Sequence, residues 1–114
     1  MKSILRSVKK MIGIDKDYNH FDEDIINNIN AVFADLAQMG VGPAEGFAIY
    51  DDNETWDEFT DDNVLLNSVK AYMHLRVKLL FDPASIGAST LASYERQIAQ
   101  WEWRLHLAAE AEEA

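Results

Sequence analysis

The chain contains no cysteine, which excludes disulfides, thiolate zinc sites and cysteine nucleophiles and turns attention to its carboxylates, hydroxyls and histidines. The run Asp15-Lys-Asp-Tyr-Asn19 offers oxygen ligands at the first, third and fifth places of a calcium loop. The pattern then fails. The sixth place needs glycine for a sharp turn and holds His20, and the twelfth needs a bidentate glutamate and holds Ile26. A second acidic group, Asp51, Asp52, Glu54, Asp57, Glu58, Asp61 and Asp62, has neither a fixed ligand spacing nor a histidine among it. Nucleophilic catalysis needs a hydroxyl or thiol beside a base that a third group orients. His20, His74 and His106 instead lie on three separate segments, with no Gly-x-Ser-x-Gly turn, His-Glu-x-x-His pair, phosphate loop or dinucleotide fingerprint. Most carboxylates fall in polar loops or at helix ends, where nothing desolvates them toward a catalytic pKa. Glu102 lies between Trp101 and Trp103 and is the least ordinary of them, and an ion pair with a partner on a neighbouring turn is its simplest role. No enzymatic activity, cofactor or metal is expected.

The elements that position these side chains follow from composition and periodicity. The 114 residues suit one domain spanning 1–114, and 48% hydrophobic content places it among folded rather than disordered chains. Twenty acidic against ten basic residues give a net charge of −10, the opposite of what a phosphate-neutralising nucleic-acid binder needs. No apolar run approaches the roughly 20 residues of a membrane span. Arg6, Lys9 and Lys10 interrupt any signal-peptide apolar region. The lack of cysteine fits a reducing cytoplasm.

Four helices are predicted. The first covers about Ser3 to Ile12, with Ile4, Leu5, Val8, Met11 and Ile12 at helical spacing and Lys2, Arg6, Lys9 and Lys10 on the rest of the surface. Its short length favours a bundle helix over a membrane-binding one. The second covers about Asp22 to Met39, with Ile25, Ile29, Val32, Leu36 and Met39 as its stripe and Gly40 as its stop. Asp22, Glu23 and Asp24 suit the positive end of its dipole. Residues 40–63 form an irregular acidic insert anchored by Trp56 and Phe59. Within it, Phe47-Ala-Ile-Tyr50 reads as a short strand pairing near Trp56 in a β-hairpin, while Thr55-Trp-Asp-Glu58 reads equally as a capping box for one helical turn.

The third helix runs from about Asp61 to Phe81. It is apolar on most of its circumference, which makes it either the central helix or an interface helix. Asp82-Pro83 ends it. The fourth starts between Ser85 and Ser89 and runs to about Glu110, with Leu91, Tyr94, Ile98, Trp101 and Leu105 as its stripe. Trp103 and Leu107 point elsewhere, about 200° and 240° around from Trp101. Either Trp103 lies flat on a neighbouring loop or it anchors a subunit contact. The expected fold is all-α, a small bundle of about four helices.

The segments Val8-Lys-Lys-Met-Ile-Gly-Ile14, Gly40-Val-Gly-Pro-Ala-Glu-Gly-Phe-Ala-Ile49 and Thr55-Trp-Asp-Glu-Phe59 recur in a known order, followed by Val69-Lys-Ala-Tyr72, Leu75-Arg-Val-Lys-Leu-Leu-Phe-Asp-Pro83 and Trp101-Glu-Trp-Arg-Leu105. Together, over nearly the whole chain, they resemble the small head–tail connector (head completion, or adaptor) proteins of tailed bacteriophages and prophages. In that family a second proline often follows the position of Pro83; here Ala84 stands there, which affects only the turn.

The resemblance implies a mostly helical, non-enzymatic virion protein that assembles in the host cytoplasm and resides at the head–tail junction. It implies a homo-oligomeric ring of roughly a dozen copies beneath the portal protein, with a downstream connector or tail-completion protein docking below. DNA would pass through the ring without specific binding, and no membrane is involved. For such a ring the candidate subunit or portal contacts are Trp103, Leu107, Leu66, Met73 and Val77, with Arg6, Lys9 and Lys10 as a basic patch. The acidic insert, Asp51, Asp52, Glu54, Asp57 and Glu58, would complement that patch or line the lumen. The alternative from another class is an acidic DNA mimic that inhibits a host DNA-binding protein, which needs carboxylates spread like phosphates rather than crowded into one loop.

Overall fold

Helix boundaries follow local chemistry. The computed structural model describes residues 3–113, with side chains for 3–111; Lys2 lies outside them. Helix α1 (Ile4–Met11) begins where the Ser3 hydroxyl accepts a bond from the Arg6 amide at 3.3 Å. Helix α2 (Asp22–Gln38) carries Asp22, Glu23 and Asp24 in its first turn and stops where Gly40 takes φ +83°. Helix α3 is the single turn Trp56–Phe59. Helix α4 (Asn63–Phe81) starts just after Asp62, whose Oδ1 accepts from the Val64 and Leu65 amides, both at 3.1 Å. Asp82 ends it, and Pro83–Ser85 makes one 3₁₀ turn before helix α5 (Ala88–Glu113). At 1.5 Å per residue α5 is about 39 Å long, close to the 43 Å long dimension of the molecule.

The fold is therefore all-α, the four expected helices plus α3. Among the described residues the sole β-pairing is an isolated bridge between Ser3 and Thr55, so the hairpin reading of residues 47–59 is corrected in favour of the helical turn. The backbone of Ile49 finds its partner in a side chain. The Asn30 amide donates to the Ile49 carbonyl and accepts from its N–H, both at 2.8 Å, so no second strand is needed. The capping-box bond itself is not made, because the Thr55 side chain caps nothing.

The core gathers one face of each major helix. Ile4, Leu5 and Val8 of α1 meet Ile25, Ile29, Val32, Phe33 and Leu36 of α2 and Val69, Tyr72, Met73 and Val77 of α4. Helix α4 packs against α1, α2 and α5, which makes it the central helix and accounts for its nearly all-round apolar surface. Phe33 anchors the insert, with Phe47 and Phe59 rings at 5.0 Å and Trp56 at 6.3 Å. Gly42 has to be glycine there. Its φ is +95°, and a Cβ would fall 2.5 Å from the Phe59 ring.

Candidate functional site

The basic side of α1 does not remain a free patch. Lys9 is 1% exposed, and its ammonium lies 2.7 Å from Asp22 Oδ1 while donating to the carbonyls of Lys16 (3.1 Å) and Tyr18 (2.7 Å). It ties the loop between α1 and α2 to both helices, and it leaves the candidate contact set. Arg6 reaches across to the insert and grips Asp52 Oδ2 through Nε (3.1 Å) and Nη2 (2.9 Å). The complementarity expected between neighbouring copies thus operates inside one chain for this pair. Lys10 is exposed.

The insert is ordered by its own acids. Glu54 accepts from the amides of Tyr50 (3.1 Å) and Asp51 (3.3 Å), and Asp51 Oδ1 accepts from the Asn53 amide at 2.8 Å. The Glu54 carbonyl accepts from the Ile4 amide at 3.0 Å, which joins the insert to α1. Asp57 and Glu58 face solvent on α3. In the 15–19 run, Asp15 Oδ1 accepts from the Asp17 amide at 2.9 Å, so this carboxylate shapes a turn. Among the described residues no group of three His, Asp or Glu is placed to hold a metal ion. No described helix is long and apolar enough to cross a membrane.

The apolar candidates divide sharply. Met73 and Val77 are fully buried within the bundle, where they hold α4 to its neighbours and present nothing to a partner; both are corrected out of the contact set. Leu66 is half-buried against the same core. Trp103 is 64% exposed and Leu107 43%. They stand one turn apart on the outer side of α5, away from Trp101 and Leu105, which face the bundle. No loop covers Trp103, so that reading falls away. A shallow groove beside it is lined by Asp35, Gln38 and Met39 of α2 and Ala99, Glu102 and His106 of α5.

On the far side of α4 lies a wider cleft of about 1460 Å³. Its lining is of mixed charge: Arg6, Lys10, Lys16 and Lys70 share it with Asp15, Asp17 and Asp52, around Met11 and Ile14. Lys70 also sits over the Trp56 ring, 5.4 Å from its centroid.

A polar network that sequence reading missed joins α2, α4 and α5. Arg76 bonds Asp35 at 2.7 Å and the Tyr72 hydroxyl at 2.6 Å, and that hydroxyl donates to Glu102 at 2.7 Å. Glu102 therefore finds its partners on α4, not on a neighbouring turn of its own helix. Burial, and then the bond to Glu102, hold the Tyr72 phenol well above its ordinary value. For Arg76, burial acts to lower the pKa, but the bonds to Asp35 and Tyr72 outweigh it and the value rises. His74, half-buried beside Lys78, is held below its ordinary value, by burial first and then by that charge. The available signal was Arg76 itself, a cation in register with Val69 and Tyr72 on an apolar stripe, which requires a carboxylate from a neighbouring element.

This arrangement can bind and assemble: one exposed aromatic ridge, one cleft of mixed charge, and polar groups engaged in holding helices together. No curated protein and no solved structure matches the chain. A family profile described as phage connector protein matches residues 4–112. The chain belongs to the phage connector protein family, which gives it a structural role at the head–tail connection.

Proposed function

We propose that this chain forms a ring of roughly a dozen copies beneath the portal of a tailed phage, joins head to tail and surrounds the DNA passage. Family membership over residues 4–112 is the observation that carries this reading. The exposed Trp103 and Leu107 support it, because a ring requires a surface that the lone protomer leaves uncovered. In this reading the ring assembles in the host cytoplasm, becomes part of the virion at the head–tail junction and receives a downstream connector or tail-completion protein. The exposed carboxylates of Asp57 and Glu58 face the lumen and repel DNA phosphates, so DNA slides without being held. Locating α3 on the outer wall of an assembled particle would reject that placement.

The DNA-mimic reading finds no support in the insert. Asp52 is taken by Arg6, and Asp51 and Glu54 are taken by the insert's own backbone. The deciding experiment is mass by light scattering, for the chain alone and after mixing with the portal protein. A ring, or a stable complex with the portal assembly, is expected. A monodisperse monomer that ignores the portal would overturn the proposal.

A further inference from the structure

We propose that the loop joining α1 to α2 is a binding site for a primary ammonium ion, and that Lys9 fills it from within the chain. The site is separate from the surfaces invoked for assembly, so it does not depend on the ring reading above.

Three oxygens converge on the Lys9 ammonium. The Lys16 carbonyl lies at 3.1 Å, the Tyr18 carbonyl at 2.7 Å and Asp22 Oδ1 at 2.7 Å, around a side chain only 1% exposed. An ammonium group carries a donor for each of these oxygens and a single charge. The two carbonyl contacts are hydrogen bonds. The third contact is one of charge, since Asp22 Oδ1 is close but receives no aligned bond. Asp22 is the one carboxylate in contact, so the site balances a single positive charge. Calcium takes roughly six to eight oxygens, with carboxylates among them. Among the described residues no group of three His, Asp or Glu is placed to supply those. The run Asp15-Lys-Asp-Tyr-Asn19 opens like a calcium loop, and the fold turns it to a monovalent cation instead.

The oxygens are held in place by contacts that do not involve the Lys9 side chain. Asp15 Oδ1 accepts from the Asp17 amide at 2.9 Å, and the Asp15 carbonyl accepts from the Tyr18 amide at 3.1 Å, which closes a turn. The Asn19 carbonyl accepts from the Asp22 amide at 3.2 Å. The Tyr18 ring lies 5.8 Å from that of Phe21, which in turn packs on Phe81 of α4 at 5.4 Å. A site built this way keeps its shape when the ammonium is removed. Carbonyls and a carboxylate left there without a donor cost free energy, and a replacement ion recovers it.

Chemical rescue tests it. Lys9→Ala removes the γ, δ and ε methylenes and the ammonium, whose heavy atoms n-propylammonium replaces one for one. The variant should melt below the wild type, read by circular dichroism. Adding n-propylammonium chloride should raise its melting temperature saturably, by about 5 °C at ten times the half-saturating concentration. The wild type should not respond, because its own ammonium occupies the site. Lys9→Met should not respond either, because its side chain fills the channel. Combining Lys9→Ala with Asp22→Asn should abolish the response, since the balancing charge is gone. If Lys9→Ala is unfolded, recovery of its helical signal on adding n-propylammonium is the same test. An equal rise with sodium chloride would reduce the effect to screening, and an equal rise with 1-propanol would reduce it to cavity filling. Either of these, a rise with calcium chloride, a response in Lys9→Met or no response in Lys9→Ala would overturn the proposal.

Discussion

Trp56 and Trp103 sit in helices of opposite character. Trp56 is 2% exposed on a four-residue helix, and Trp103 is 64% exposed within a 26-residue one. A single turn cannot hold itself together, because nucleation costs more than one turn of hydrogen bonds returns. Such a turn exists only where its side chains are packed, and Trp56 and Phe59 are packed on Phe33. Helix α5 is long, and alanine at 88, 92, 99, 108, 109 and 111 raises its intrinsic preference for the helical state. Among its described residues, Leu105 and Ala109 are the buried ones. The region that needs packing to exist forms the body of the molecule. The region that depends less on packing keeps one face uncovered and offers an aromatic side chain to another molecule.

The sharpest way to break this comparison is at Trp56. Trp56→Ala should cost about 3–5 kcal/mol of stability in urea unfolding, the range for emptying a large aromatic site. A loss below about 1 kcal/mol would mean the insert is not part of the cooperative core. Trp56→Phe should be far milder, because the indole N–H has no partner among the described residues and the ring contact is kept.

Lys9→Met comes next. It keeps the aliphatic stem but strands two carbonyls and Asp22, so about 1–3 kcal/mol should be lost. Thermal melting reads the effect, and an unchanged melting temperature would show that the loop does not depend on this ammonium.

Tyr72→Phe probes the polar link between α4 and α5. Losing one hydroxyl that bridges Arg76 and Glu102 should cost about 1 kcal/mol. Amide exchange should rise along α5 more than along α2. The same variant has a pH signature. The phenol's ordinary value is 10.0, and it is raised in the fold. Stability from the neutral phenol is fully present below about pH 10 and is lost as pH climbs toward the folded value. The wild-type advantage over Tyr72→Phe should therefore shrink on raising the pH from 9 to 11, as read by paired urea curves. A constant difference would refute the buried phenol.

Trp103→Ala should change the stability of the isolated protomer least, within about 0.5 kcal/mol, while impairing assembly. If the protomer unfolds as readily as with Trp56→Ala, the two regions are not distinct.

Much of the fold was legible because helix ends are local. Ser3, Asp62 and the Asp82-Pro83 step each act on backbone within a few residues, and Gly40 supplies a conformation other residues avoid. The insert's anchors were legible too, since Trp and Phe in a polar loop have little alternative to burial. The candidate contacts were legible only in part. Periodicity separated Trp103 and Leu107 from the Trp101 stripe. It could not show that Met73 and Val77 are covered, because a helix apolar on both sides looks the same whether its second side meets a neighbouring helix or a neighbouring chain.

What the sequence determined by itself was the four main helices, their approximate limits, the acidic balance and the family pattern, all carried by nearest neighbours or by order along the chain; whether the insert held a strand or the turn α3 it left open. What only the tertiary structure decided was the fate of side chains whose partners are far away in sequence. Lys9 is buried because α2 brings Asp22 to it and the loop offers two carbonyls. Asn30 stands in for a strand because Ile49 is laid beside it. Arg6 meets Asp52 across 46 residues, and Glu102 meets Tyr72 across 30. A charged or amide side chain has several acceptable partners in any sequence, and packing of the apolar faces chooses among them by setting which ones lie within 3 Å.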